Sequence, residues 1–182
     1  MPSDYDFRNK FALLDVNILS QMVKEKRAEK FRPVFEFLKE NNAEIFLTDA
    51  TYFEFTAFSR TKKNHDFLEN WINQFTIVTS GLQDIKSASL LSSYYTHADS
   101  QLNKKQISYC DCLYGAQLAK YKGLAFIVTT DMHDYPISLF DIAKVMIVED
   151  GQKAVIVAFI TFNEEKWKII SGRFDKSVYD GK

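Results

Sequence analysis

Short, continuous apolar runs alternate with longer segments of helical period, and this constrains the fold of the 182-residue chain more than any other feature. The runs are Phe11-Ala12-Leu13-Leu14, Glu44-Ile45-Phe46-Leu47, Phe75-Thr76-Ile77-Val78, Leu124-Ala125-Phe126-Ile127-Val128 and Val145-Met146-Ile147-Val148. Most are apolar at consecutive residues, not at every second one, as strands covered on both faces require. Between them, apolar residues recur at three- and four-residue spacing. The sets are Phe31, Val34, Phe35 and Leu38; Phe67, Leu68, Trp71 and Ile72; Ile85, Ala88, Leu91 and Tyr95; Leu113, Ala116, Gln117 and Tyr121. Strand following helix in this order predicts an α/β fold with a largely parallel sheet.

A chain of this length suits one domain and buries roughly 70% of its unfolded surface without staples. Its last third is less regular. Asp150-Gly151 is a turn signal between Val145–Val148 and Ala154–Phe162, which predicts a hairpin. Ala154–Ile160 is the most β-prone stretch, either central in the sheet or an edge that pairs with a second copy. Asn163 can cap a short helix bearing Lys166, Trp167 and Ile170, and the tail after Arg173 reads as frayed. The expected organisation is a catalytic domain over residues 9–150 with a C-terminal extension, 151–182, packed on it.

Net charge is -1, so the chain as a whole does not advertise nucleic-acid binding. Cations would have to act locally, in Lys24-Glu25-Lys26-Arg27, Arg60-Thr61-Lys62-Lys63 or Lys104-Lys105; each segment reads equally as solvated surface. Tyr94, Tyr95 and Tyr109, near basic residues, can stack on bases or pack on helix faces. Trp71 and Trp167 read as core. Two cysteines, Cys110 and Cys112, exclude a Cys-only zinc site and read as reduced thiols. The polar Met1–Lys10 carries no apolar signal core, and no apolar run approaches the roughly 20 residues that span a bilayer. A cytoplasmic protein without a membrane span is expected.

The carboxylates carry the functional signal. Asp15 follows the first strand run and Asp131 the fourth, through Thr129-Thr130. In a parallel α/β sheet both project at the carboxyl edge, where such folds bind ligands; an Asp capping the next helix would occupy the same place. Glu54 lies early in the helix after the second strand, among Tyr52, Phe53, Phe55 and Phe58, facing a cleft or favouring the helix N-terminus. Asp111 stands three residues after Ser108, which is also where a capping box places an acid. Grouped carboxylates repel one another and lose solvation, and a hard divalent cation relieves both costs. Phosphodiester hydrolysis on such an ion needs no catalytic His, which fits three histidines (His65, His97, His133) without ligand-like spacing.

Four segments together resemble the motifs of PIN-domain ribonucleases. Leu13-Leu14-Asp15-Val16-Asn17-Ile18-Leu19 is similar to the first, a strand ending in Asp with Asn two residues later. Glu54 stands at the second. Ser108-Tyr109-Cys110-Asp111-Cys112-Leu113-Tyr114-Gly115-Ala116 resembles the third. Thr129-Thr130-Asp131-Met132-His133-Asp134-Tyr135-Pro136 resembles the fourth, in the variant with a second Asp and an aromatic seen in VapC-type toxins. The likeness runs from Phe11 to Val148. It implies a Rossmann-like three-layer α/β/α sandwich and an acidic pocket holding one or two Mg²⁺ or Mn²⁺ ions. Asp15, Glu54, Asp111 and Asp131 would be the catalytic quartet, with Asp134 as a further metal-binding acid and Asn17 and Thr130 in support. The implied substrate is single-stranded RNA; among the basic segments and the aromatics near them, Lys62, Lys63, Lys104, Lys105 and Tyr109 are the candidate contacts. The implied partner is an antitoxin protein, and a homodimer is a further expectation. Val16 stands where a small or hydroxylated residue is common, and the region after Val148 is longer than in a minimal toxin.

Two other readings compete. A haloacid-dehalogenase-type phosphatase also has an Asp after its first strand, but requires a second Asp two residues on, where this chain has Asn17. A PIN-like fold can also serve as a catalytically silent binding or scaffold module.

Overall fold

The computed structural model describes residues 5–23, 25–57, 59–98, 107–150 and 153–179. Along these residues the elements run β1 (Phe11–Leu14), α1 (Val16–Met22), α2 (Glu25–Glu40), β2 (Glu44–Thr48), α3 (Asp49–Ala57), α4 (Lys62–Ile72) and β3 (Thr76–Val78). They continue with α5 (Leu82–Ala98), α6 (Tyr109–Lys120), β4 (Ala125–Thr129), a 3-10 turn (Met132–Asp134), β5 (Phe140–Asp150), β6 (Lys153–Phe162) and α7 (Glu164–Tyr179). Among them no helix is long and apolar enough to cross a membrane.

The six strands form one sheet in the order β3-β2-β1-β4-β6-β5. β3, β2, β1 and β4 are mutually parallel, and β6 and β5 add to β4 as antiparallel strands. Strand order therefore reverses at β1: the chain steps outward to β2 and β3, then returns to β4 on the other side of β1. Such a reversal opens a crevice at the carboxyl ends of the two central strands.

The continuous apolar runs are explained by the two faces they cover. Ala12 and Leu14, Phe126 and Val128, and Val157 and Phe159 pack into one core with Ile18, Leu19, Phe31, Val34, Leu38, Phe55 and Ile72. Their neighbours Leu13, Ala125, Ile127, Ala158 and Ile160 pack into a second core with Leu91, Tyr95, Leu113, Tyr114, Leu118 and Ile170. Helices α1, α2, α3 and α4 supply the first set, and α5, α6 and α7 the second. The result is the expected three-layer α/β/α sandwich, with the period-two alternation of each strand divided between two buried faces.

Several local expectations need adjustment. β6, drawn from the segment expected to form an extension, lies inside the sheet between β4 and β5. The edge is β5, which runs from Phe140 and is much longer than its Val145–Val148 apolar run, because pairing to β6 carries it through polar residues. The hairpin register closes with Asp150 opposite Lys153, and Gly151 lies outside the described residues. Asn163 does cap α7, its side-chain oxygen accepting from the Lys166 amide at 3.0 Å. That helix continues to Tyr179 through the tail expected to fray. Phe67 and Ile85, assigned to apolar stripes, are exposed. Both tryptophans are packed: Trp71 against Phe55 and Phe75, Trp167 against Phe162, Phe140 and Tyr94. Tyr94 and Tyr95 are likewise buried, and Tyr109 is exposed.

Candidate metal centre

Leu14 pairs with Val128 in the β1–β4 ladder, so the next residues, Asp15 and Thr129, emerge side by side at the carboxyl edge. Asp15 occupies the N-cap position of α1, yet its side chain makes no capping hydrogen bond there. Its Oδ2 instead accepts from the Thr129 hydroxyl and from the Asn17 amide, each at 2.6 Å. Asn17 also donates to Thr129 Oγ1 at 3.2 Å and accepts from the Thr130 backbone N–H at 3.1 Å. Thr129 Oγ1 in turn accepts from the Asp131 N–H at 2.9 Å. One carboxylate, one amide and one hydroxyl thus tie the ends of β1 and β4 together. The hydroxyl in this network is that of Thr129, and Thr130, expected as a supporting residue, contributes its backbone N–H. The signal for Thr129 was its register opposite Asp15, which sequence alone does not supply.

A second set of hydroxyls places Glu54. Thr51 N–H donates to Thr48 Oγ1 at 3.1 Å, and Thr51 Oγ1 donates to the Leu14 carbonyl at 3.4 Å. Tyr114 of α6 donates to Thr51 Oγ1 at 2.8 Å. Glu54 follows Thr51 by three residues and so shares its helix face, turned towards the end of β1. Glu54 is half-buried and hydrogen-bonded with the Cys110 thiol. Both cysteines are free, as expected. At the start of α6, Ser108 Oγ accepts from the Asp111 N–H at 3.1 Å and donates to Asp111 Oδ2 at 2.6 Å. The capping reading of Asp111 is therefore correct, and the same carboxylate still faces the other acids.

The charges of these acids act on one another. Burial pushes the Asp15 carboxyl up to about 6; the Thr129 hydrogen bond opposes this and the charge of Glu54 reinforces it. Burial likewise pushes Asp111 up to about 6, opposed by Ser108 and reinforced by Asp134 and Asp15. Glu54 is raised by burial and then by Asp111 and Asp134, while the Cys110 thiol lowers it. Asp134 therefore acts on both Glu54 and Asp111. The Asp131 side chain begins the 3-10 turn, Oδ1 accepting from the His133 N–H at 3.1 Å. The groups acting most on Asp15, Glu54 and Asp111 are hydroxyls, an amide, a thiol and other acids, with no Lys or Arg among them.

This donor set fits a hard divalent cation. Carboxylate oxygens suit Mg²⁺ or Mn²⁺, which keep several water ligands and need only one or two carboxylates directly. Burial and the surrounding acids push the Cys110 thiol up to about 12, so without a metal it stays protonated. Among the described residues, the trio whose ligand atoms all lie within 4.8 Å of one another is His65, Asp66 and Glu69. That trio lies on the surface of α4 and shares no residue with the acids above. Glu69 there also accepts from the Tyr52 hydroxyl at 2.8 Å.

The proposed RNA contacts are more scattered. Lys62 and Lys63 open α4 and are exposed, Lys62 beside Arg60 in a surface depression that also holds the His65 trio. Tyr109 is exposed next to Cys110, while Lys104 and Lys105 lie outside the described residues.

No protein-family model and no curated protein matches the chain. Solved structures do match, among them VapBC2 from Rickettsia felis bound to a DNA fragment from their promoter. That structure is 19% identical with a TM-score of 0.47, covering 69% of this chain and 90% of the other.

Proposed function

We propose that this chain is a metal-dependent endoribonuclease of the PIN type, with Asp15, Glu54, Asp111, Asp131 and Asp134 around the cation. The observation that carries the reading is the mutual electrostatic coupling of four acids at the strand-order reversal, two of them raised to about 6. A site built only to fold would not gather carboxylates whose charges and burial raise one another at this cost. The four motif resemblances supply the reaction class.

A bound Mg²⁺ or Mn²⁺ supplies charge neutralisation at a phosphate and activation of a water near neutral pH. The protein's own residues do the rest. Asp15, held by Thr129 and Asn17, and Asp111, held by Ser108, offer fixed oxygens to the cation. Glu54, less buried than Asp15, orients the attacking water or adds a ligand. Water attack leaves the ribose 2′-OH unused, so the products carry 5′-phosphate and 3′-OH ends. An antitoxin protein is the partner class that the VapC-type fourth motif implies.

The phosphatase reading is disfavoured by Asn17, whose amide donates to Asp15 at 2.6 Å where that chemistry needs an acid. The test is cleavage of an end-labelled single-stranded RNA by purified protein with Mn²⁺, beside Asp111→Asn. Cleavage by the wild type alone, blocked by EDTA and leaving 5′-phosphates, is expected. Ends carrying 2′,3′-cyclic phosphate would rule the mechanism out. Wild-type protein that gains no thermal stability from Mn²⁺ would favour a silent binding module instead.

A further inference from the structure

Two phenols lie buried beside the acids with nothing to bond. Tyr95 and Tyr135 are 2% and 1% exposed, and neither hydroxyl has a hydrogen-bond partner among the described residues. A buried tyrosine hydroxyl normally finds one, and an orphaned polar atom in a packed interior requires a reason. Both rings pack on Phe140, with centroids 6.4 Å away for Tyr95 and 5.7 Å for Tyr135.

Their positions relate them to the same carboxylate. Gly115 follows Asp111 by one helical turn and shares its face of α6. A Cβ added at Gly115 would lie 3.4 Å from the Tyr95 hydroxyl, so that phenol reaches the face carrying Asp111. Tyr135 directly follows Asp134 and closes the 3-10 turn, its N–H donating to the Met132 carbonyl at 3.2 Å. The charge of Asp111 acts on both phenols; Asp134 also acts on Tyr95, and Asp15 on Tyr135.

We infer that Tyr95 and Tyr135 are positioning residues of the acidic site, each giving its phenol proton through one buried water to the carboxylates around Asp111. Carboxylates that hold a cation are themselves hydrogen-bonded from outside, and those outer donors fix their orientation. Asp111 receives one such bond from Ser108 on its solvent side. The two phenols supply the equivalent support from the core side. A phenol suits the task because it donates without adding charge. A further buried phenol, Tyr114, donates to Thr51 one turn before Glu54.

The inference rests on the proposed cation site for one of its two readouts only. Tyr95→Phe, Tyr135→Phe and the double variant keep the rings and hence the packing on Phe140. Tyr52→Phe, which removes a remote phenol bonded to Glu69, is the control. Metal-free thermal unfolding at neutral pH and Mn²⁺ binding, followed by the electron paramagnetic resonance of free Mn²⁺, are measured on each. Expected are lower metal-free stability, a Tm drop of about 2–4 °C per variant, and Mn²⁺ affinity weakened roughly tenfold, with wild-type Mn²⁺ affinity in the control. Variants as stable as the wild type or more so, binding Mn²⁺ equally well, would overturn it, since removing a truly orphaned hydroxyl stabilises. Wild-type protein that binds no Mn²⁺ would sink the cation site, and a stability loss in the variants would then still establish the phenols as donors to the acids.

Discussion

Thr129 donates its hydroxyl proton to Asp15 at 2.6 Å across the junction of β1 and β4, and the same oxygen accepts from Asn17 and from the Asp131 backbone. The hydroxyl is buried and saturated. Thr129→Val keeps the shape and β-branching but leaves Asp15 short of a donor and the Asp131 N–H without its acceptor. We expect a loss of roughly 1–3 kcal/mol in urea unfolding and weaker Mn²⁺ binding. Thr129→Ser should restore most of both. A Thr129→Val protein as stable as the wild type would show that the junction is held by the ladder alone.

Asn17 is the second donor to Asp15, and its chemistry can be inverted by one atom. Asn17→Asp replaces an amide N–H at 2.6 Å with a carboxylate oxygen. Two like charges at that distance in a buried site cannot both be ionised at neutral pH. The variant should lose metal-free stability at pH 7 by roughly 1–3 kcal/mol and regain much of it near pH 4, as read by thermal melts at the two pH values. Phosphatase activity gained by Asn17→Asp, without loss of stability, would revive the haloacid-dehalogenase reading.

The strands were legible because burial on two faces writes itself into consecutive residues. The Phe11–Leu14 run is β1 residue for residue, and Leu124–Val128 misses β4 by one position. Asp15 and Asp111 were legible for a related reason: strand end and helix start are marked by the residues around them. What lay beyond reach depended on register or on long-range pairing. Thr129 differs from Thr130 only in facing Asp15, and the β1–β4 ladder decides that. Asp131 and Asp134 stand in one motif, and it takes the 3-10 turn to show that Asp131 caps it while the charge of Asp134 acts on Glu54 and Asp111. The place of β6 between β4 and β5 is a choice of partners that the Ala154–Ile160 run does not encode.

Gly115 makes a separate point about α6. A Cβ there would overlap Leu91 Cδ2 and come within 3.3 Å of Phe140 and 3.4 Å of the Tyr95 hydroxyl. The absence of a side chain is what brings α5 against α6 one turn below Asp111. Gly115→Ala gains helix propensity worth about 1 kcal/mol and incurs overpacking of about 1–3 kcal/mol. Net destabilisation is expected in urea unfolding, together with weaker Mn²⁺ binding as Tyr95 is pushed aside. Net stabilisation would show that Leu91 yields freely.

The raised carboxyls of Asp15 and Asp111 set a pH dependence whose sign is opposite to that of ordinary salt-bridged acids. Each ionises near 3.8 when unfolded and at about 6 when folded, so the native state binds the proton more tightly. Their contribution is therefore complete below about pH 4 and lost as pH rises through about 6. Without metal, the Tm should fall across that window. Asp111→Asn removes one of the two groups, so its curve should be flatter and its Tm at pH 7 higher than the wild type's, by about 2–4 °C for roughly 1 kcal/mol. With excess Mn²⁺ the wild-type curve should reverse, since the cation binds the ionised acids and stabilises more at higher pH. A lower Tm for metal-free Asp111→Asn at pH 7 would mean that the bond to Ser108 outweighs the repulsion, leaving Asp111 chiefly a helix cap.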